Sequence, residues 1–211
     1  MITSGTRPTG IALALIVLAT IWGTHAMTHG FKAVTSDGVR QLAIADAPRQ
    51  LPTIPLVDSK GHETDLREIL SRHPYTVVAL VYTQCTSLCL VMASSESFLQ
   101  SRLQNAGMAD QIGLLTLSFD PARDTPEALE QYARRIKAKS GTWAIATVAD
   151  HGDLDRMLEV FDVVVIPDGN GEYIHNGALF LTDADGRMFE ALAPDEADVA
   201  FERLATLVRD P

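Results

Sequence analysis

Cysteine is scarce in this chain: two residues in 211, too few for a multi-bridge scaffold. Positive charge is short as well. Seventeen Lys and Arg stand against 27 Asp and Glu, a formal net charge of −10. A phosphate-backbone partner is thereby excluded, because nucleic-acid binding needs a basic surface. Internal repeats and low-complexity tracts are absent, which removes solenoids and disordered tails. What remains, 46% hydrophobic and 21% charged, suffices for one well-packed domain with an appendage.

The appendage is N-terminal. From Thr9 to Thr28 the stretch "TGIALALIVLATIWGTHAMT" carries no fixed charge, with Arg7 and the α-amino group just ahead of it. Such a run is long enough to cross a bilayer, and the leading positive charge favours a cytoplasmic start. The division expected is a cytoplasmic N-terminus over 1–8, a transmembrane anchor or signal segment over 9–28, a linker over 29–50 and a domain over 51–211. A cleaved signal peptide with Ile11–Leu18 at its centre and "THA" as a weak cleavage site is the competing reading. A core helix is the plainest one. Either of the first two puts the domain outside the cytoplasm, in a periplasm or its equivalent, single-pass at the inner (cytoplasmic) membrane. Thiols there need a reductant or a metal to stay reduced.

Beyond residue 50 the pattern alternates. "LPTIPLVDSKGHETDL" reads as two short strands about a Ser59-Lys60-Gly61 turn. "YTVVALVY", "IGLLTLSF" and "TWAIATV" are continuous β-rich runs suited to buried strands. Between them, "SSESFLQSRLQNAG" carries Phe98, Leu99, Leu103 and Ala106 at helical spacing and stops at Gly107. "DTPEALEQYARRIKAKSG" opens with Asp124 or Thr125 as N-cap and Pro126 in the first turn, and runs out in lysines and Gly141. "GDLDRMLEVF" is a short helix, "GALFLTDADGRMFEAL" a hairpin on Asp185-Gly186, and "DEADVAFERLATLVRD" a last helix. The fold class expected is α/β: a thioredoxin-like mixed sheet flanked by helices, with an N-terminal β-hairpin added and the N-terminal membrane helix in front.

Cys85 and Cys89, in "VYTQCTSLCLVM", then fall in the loop after a central strand, where the next helix begins. Ligands and catalysis sit at that end of open α/β sheets. On a regular helix residues i and i+4 share a face, with Cα atoms about 6 Å apart, near the outer limit for a relaxed disulfide. Two thiolates converging on one soft cation fit more naturally, and a helix N-terminus favours the thiolate. Two buried thiols remain the bland reading. Among six histidines, His25 and His29 belong to the apolar segment or its edge, His62 and His73 to turns, and His151 to a helix start. His175 differs, ending the glycine-rich loop of "GNGEYIHNGALFLTDADG" that feeds the fourth core strand and faces the cysteines. Two sulfurs and an imidazole suit Cu(I) or Cu(II), and zinc less specifically. Iron–sulfur clusters typically need four cysteines.

Three segments together resemble the Sco/SenC family of copper-binding, membrane-anchored thioredoxin-fold proteins, over about Leu51 to Leu207. "YTQCTSLC" is similar to its T-x-C-x-x-x-C site, "LSFDPARDTPEALEQYA" to its S-x-D-P-x-R-D-T-P segment, and "HNGALFLTDADG" to its histidine-containing strand. The resemblance implies that Cys85, Cys89 and His175 are copper ligands and that Asp120 tunes or orients the site. It implies further a non-enzymatic copper chaperone, serving a cytochrome c oxidase subunit as copper acceptor. The alternative is a thiol–disulfide oxidoreductase using Cys85 and Cys89 to keep a partner's ligand thiols reduced, against which stands the absence of Cys-x-x-Cys and of a proline before "IHNGALFL". Two departures from the family pattern are Leu90, where a proline is usual, and Ile174, where an acidic residue often precedes the histidine.

Overall fold

The computed structural model describes residues 6–27, 36–85 and 88–210, and of 6–9, 27, 36 and 88–90 the backbone alone. It divides into residues 1–42 and a compact unit over 43–211. In the first unit, helix α1 (Thr6–Met27) leaves Ile11, Leu13, Leu15, Ile16, Leu18 and Trp22 exposed. Among the described residues no helix is long and apolar enough to cross a membrane.

Helix α2 (Ser36–Asp46) occupies the middle of the segment read from sequence as an extended linker. Asp37 in its first turn, paired at i,i+3 with Arg40 (3.1 Å), complements the helix dipole, and Gln41–Ala45 are sound helix formers. The run is too short and too polar at its ends to display a full period, which is why the sequence shows none.

Then follow β1 (Arg49–Gln50), β2 (Pro55–Asp58), β3 (Glu63–Asp65) and the short α3 (Leu66–Leu70), capped by Asp65, whose Oδ1 accepts the Glu68 N–H at 2.9 Å. The alternating part is β4 (Tyr75–Val81), α4 (Leu88–Ala106), β5 (Ile112–Ser118), α5 (Pro126–Ile136) and β6 (Trp143–Val148). Next come a 3₁₀ turn (His151–Asp153), α6 (Leu154–Phe161), β7 (Val165–Pro167) and β8 (Tyr173–His175). The chain closes with β9 (Leu179–Asp183), β10 (Arg187–Leu192) and α7 (Ala197–Arg209).

Among the described residues eight strands form one sheet in the order β1-β10-β9-β4-β5-β6-β2-β3, while β7 and β8 pair separately. Strands β4, β5 and β6 are parallel, and β9, β10, β2 and β3 run antiparallel to their neighbours. Every residue of β5 is buried, and all but the first of β4. That double-sided burial is what a continuous apolar run records. The expected N-terminal hairpin is β2–β3, added to the sheet edge through β6.

Some boundaries move. Helix α4 begins at Leu88, six residues before the periodic stretch read from sequence, and Phe98 is 41% exposed while Leu99 and Leu103 are buried. Helix α5 stops at Ile136 with Lys137 as a left-handed C-cap (φ 57°), not among the later residues to Gly141. Its N-cap is Thr125, whose hydroxyl accepts the Ala128 N–H. The β7–β8 hairpin was not anticipated, because three-residue strands around Pro167, Gly169 and Gly171 show too little alternation to register as a sheet.

One core group carries a pH dependence. Glu96 on α4 is fully buried; its Oε1 accepts the Thr116 hydroxyl at 2.6 Å, and Trp143 Nε1–H donates to the same hydroxyl at 2.8 Å. Glu96 Oε2 has no partner. Burial pushes the Glu96 carboxyl up to about 8, against the Thr116 hydrogen bond that lowers it. The unfolded chain releases this proton near 4.5 and the folded one near 8, so the folded state binds the extra proton between them. Stability from this group is therefore complete below the unfolded value and declines as pH rises through the window. Glu96→Gln should remove a decline of up to about 1.4 kcal/mol per pH unit, visible in urea unfolding of wild type and variant at pH 5 and pH 8. Equal slopes in the two proteins would refute it.

Candidate functional site

The parallel strands present their C-terminal ends to one side, and the three motifs meet there. Strand β4 delivers "YTQC", β5 delivers "SFDPARD", and the β7–β8 hairpin delivers "YIH".

Tyr82, just after β4, is 1% exposed and stands at the centre. Its ring lies 5.4 Å from Phe119, 5.1 Å from Tyr173 and 6.2 Å from His175, centroid to centroid. The His175 imidazole meets Phe119 edge-on at 4.9 Å. Edge-to-face packing of this kind fixes ring orientation as well as position. The Tyr82 hydroxyl donates to Glu172 Oε2 and accepts the Tyr173 N–H at 3.4 Å. The Cys85 side chain lies within hydrogen-bonding reach of the same hydroxyl. Burial first, then the Glu172 bond, raises the Tyr82 phenol above its ordinary range, so it remains a proton donor.

Cys85 is half-buried, and its N–H donates to the Tyr82 carbonyl at 3.3 Å, closing a turn. It therefore precedes helix α4 instead of sharing a helical face with Cys89. Residues 86 and 87 between them lie outside the described residues. Cys89 is the second residue of α4, in the first turn as expected, and its side chain also lies outside the described residues. So does the side chain of Leu90, one of the two departures from the family pattern.

His175 ends β8, across from Val165 on β7. Alternation puts Tyr173 and His175 on one face of the hairpin, and Ile174 on the other, 66% exposed. The His175 Nδ1 is 3.0 Å from the Asn176 carbonyl oxygen. A carbonyl only accepts, so this bond needs Nδ1–H, and in the neutral ring Nε2 keeps its lone pair. Burial lowers the His175 pKa, opposed by that carbonyl, and a neutral imidazole is the metal-ligating form. The Asn176 side chain accepts the Val164 N–H at 2.8 Å and donates to the Asp162 carbonyl at 3.1 Å, tying the hairpin to the end of α6.

Below these groups lies the "SFDPARD" platform. Asp124 is fully buried and collects three donors: Thr83 N–H (2.9 Å), the Thr83 hydroxyl (2.5 Å) and the Ser118 hydroxyl. Arg135 also donates to the Thr83 carbonyl at 2.7 Å. Thr83, two residues before Cys85, is thus fixed at both its N–H and its C=O. Asp120, expected to tune or orient the site, is 4% exposed and pairs with Arg123. The guanidinium donates to the Gly171 carbonyl at 2.5 Å and lies 4.9 Å from the Tyr173 ring and 5.6 Å from Tyr82. Asp120 is thus linked to the loop before β8 through Arg123.

Arg123→Gln should release that loop while the sheet persists. Amide hydrogen exchange over residues 171–175 is expected to quicken about tenfold, with β5 unchanged. Unchanged exchange in the loop would show that Arg123 does not hold it.

Cys85 and His175 thus share a neighbour, Tyr82. Among the described residues no group of three His, Cys, Asp or Glu side chains could hold a metal. The sequence singles out none of Tyr82, Phe119, Arg123, Glu172 and Tyr173, and offers Asp124 only as a helix cap. For the three aromatics a signal was present, since one stands within three residues of each of Cys85, Asp120 and His175.

The SCO1/SenC family model matches residues 47–209. The SCO1 protein homolog of Bacillus subtilis (strain 168) is 23% identical over 112 residues, which cover 52% of this chain and 57% of that protein. The match thus spans little more than half of that relative's length. The structure of Arabidopsis thaliana ScoI with copper bound superposes with a TM-score of 0.66 at 13% identity, covering 77% of this chain and 100% of that one. BsSco, described as a member of the Sco family of cytochrome c oxidase assembly proteins with a disulfide switch, superposes with a TM-score of 0.65 at 17% identity, covering 76% and 94%. At these identities the likeness shows a shared fold.

Proposed function

The chain belongs to the SCO1/SenC family, and from that premise we propose that it binds one copper ion through Cys85, Cys89 and His175 and passes it to a protein that assembles a copper site. The acceptor in this reading is a cytochrome c oxidase subunit, the assembly named for BsSco. Copper is cargo here, and the chain is a chaperone.

The observation that carries the reading is that Cys85 and His175 both adjoin Tyr82, Cys85 through its N–H bond to the Tyr82 carbonyl and His175 through its ring, 6.2 Å away. The donor set fits the ion. Thiolate sulfur and neutral imidazole suit copper better than oxygen-seeking cations, and a carbonyl bond at Nδ1 fixes the tautomer of the His175 ring. Asn176, Tyr82 and Phe119 hold that ring, and the Asp124–Thr83 contacts hold the loop that carries Cys85. Thiolate ligation displaces protons, so uptake should release them. The bound copper in the Arabidopsis relative is consistent with this reading.

The proposal extends to the N-terminus: the uncharged run Thr9–Thr28 holds the domain at the outer face of the cytoplasmic membrane as a single-pass anchor. This run reaches past the side chains described for α1 at both ends. Full-length chain should resist alkaline carbonate extraction and dissolve in detergent; release by carbonate would refute the anchor.

The second reading, a thiol–disulfide oxidoreductase, draws on the position of Cys89 in the first turn of α4, where the helix N-terminus favours a thiolate. A single experiment separates the two. Reduced full-length protein is titrated with Cu(I) against a chromophoric chelator, alongside Cys85→Ala, Cys89→Ala and His175→Ala. One copper per chain, weakened by each substitution, supports the chaperone. Binding indifferent to His175, with the cysteines cycling readily as a disulfide, supports the oxidoreductase.

A further inference from the structure

At the opposite end of the parallel strands from Cys85 lies a cavity of about 360 Å³. It opens between the C-terminal end of α5, the β2–β3 turn and the end of α3, over the first residues of β4, β5 and β6. Ligand pockets typically run from about 300 to 1,000 Å³, so this one suits a compact molecule. It shares no residue with the site around Tyr82.

Four features give it chemistry. The floor is apolar, with Ile69, Leu114, Trp143 and Ile145 all buried in the core. Thr76, 1% exposed, lines it as well, and the Thr76 hydroxyl has no hydrogen-bond partner. Its backbone carbonyl is already used by Thr182, so the orphan is the side chain alone. A buried hydroxyl without a partner is uncommon and asks for an explanation.

Third, the rim is cationic on a chain of net charge −10. Arg72 is spent on Glu68 and Arg134 on Glu130. Asp58 accepts the N–H groups of Lys60 and His62 and pairs with the His62 ring. Among the described residues Lys60 and Lys137 form no ion pair through their ammonium groups, and both line the cavity. Fourth, Lys137 stands in the left-handed region at φ 57°, where a helix end ordinarily takes glycine.

We propose that this cavity binds a small organic carboxylate: a compact apolar body over Trp143, a single negative charge met by Lys60 and Lys137, and a polar atom for the Thr76 hydroxyl. One charge is the better match than two, since Asp58 offsets part of the rim. The fit is close on one wall. Gly113 allows the His73 ring to pack there, as a Cβ at Gly113 would lie 2.4 Å from His73 Cδ2. The His73 ring nitrogens lie 3.3 Å from the Asp110 carbonyl and 3.0 Å from the Gly141 carbonyl, and the neutral ring donates to one of the two. Nothing in this site depends on copper.

The test is a two-dimensional amide NMR titration of the full chain with sodium benzoate, and with neutral benzamide as its uncharged match. Saturable shifts over residues 142–145 and 59–60 are expected with benzoate in the millimolar range, about tenfold weaker for benzamide. Lys60→Gln combined with Lys137→Gln should weaken benzoate by about tenfold or more. Thr76→Val, nearly isosteric, should weaken it with the spectrum otherwise intact, and His175→Ala should leave it unchanged. Absence of saturable shifts, equal binding of benzamide, or no effect of the double substitution would overturn the proposal.

Discussion

Truncating His175 to alanine is expected to weaken copper binding by more than about 100-fold, beyond the roughly 10–100-fold that outer-shell partners of a metal ligand typically contribute. The imidazole is the one nitrogen donor in the proposed set, and it arrives neutral and oriented, with Nδ1 committed to the Asn176 carbonyl. The fold should survive, since His175 sits on a hairpin outside the eight-stranded sheet. Asn176→Ala makes the graded comparison. It removes the two bonds that tie the hairpin to Val164 and Asp162, and should cost about tenfold in affinity, within the outer-shell range. Chelator competition gives the affinities, and far-UV circular dichroism the fold. An Asn176→Ala defect as large as that of His175→Ala would mean that hairpin order, not the nitrogen donor, sets the affinity.

The largest stability effect should come from Asp124. Its carboxylate is fully buried and answers three donors from Thr83 and Ser118. Asp124→Ala leaves those donors buried and unpartnered, at a cost of about 3–5 kcal/mol. That is a large share of the roughly 5–15 kcal/mol that holds a domain together, and should lower the midpoint of thermal unfolding by about 10 °C. Asp124→Asn keeps the shape but sets an amide where a donor already points, so it should recover only part of the loss. A change within about 0.5 kcal/mol, ordinary for a surface position, would show that Asp124 does not anchor the cysteine loop.

Much of this architecture is written in local pattern. Strands β4, β5 and β6 are legible because burial on both faces leaves unbroken apolar runs. Thr125 and Pro126 announce α5, and Asp185-Gly186 announces the β9–β10 turn, where Gly186 takes φ 70°. The β7–β8 hairpin was not legible. Its stability comes from Tyr173 and His175 packing on Tyr82 and Phe119, contacts made by residues distant in sequence. The end of α5 at Lys137, short of Gly141, is hidden for a related reason, since a lysine in the left-handed conformation defies local propensity. Asp124 looked like a helix cap because caps are short polar residues before Pro; its actual partners lie on β5 and beyond β4. In each case a tertiary contact outweighed the local signal. Cys85 and His175 stood out by residue type and Asp120 by its place in the family-like segment, whereas the contacts that Tyr82 and Arg123 make with their surroundings are tertiary and left no local pattern.

The most direct measurement is X-ray absorption at the copper edge on copper-loaded full-length protein, wild type and His175→Ala. The account predicts a first shell of two sulfurs and one nitrogen, with the nitrogen scattering lost or replaced in the variant. A shell without sulfur, or one that the substitution leaves unchanged, would contradict it.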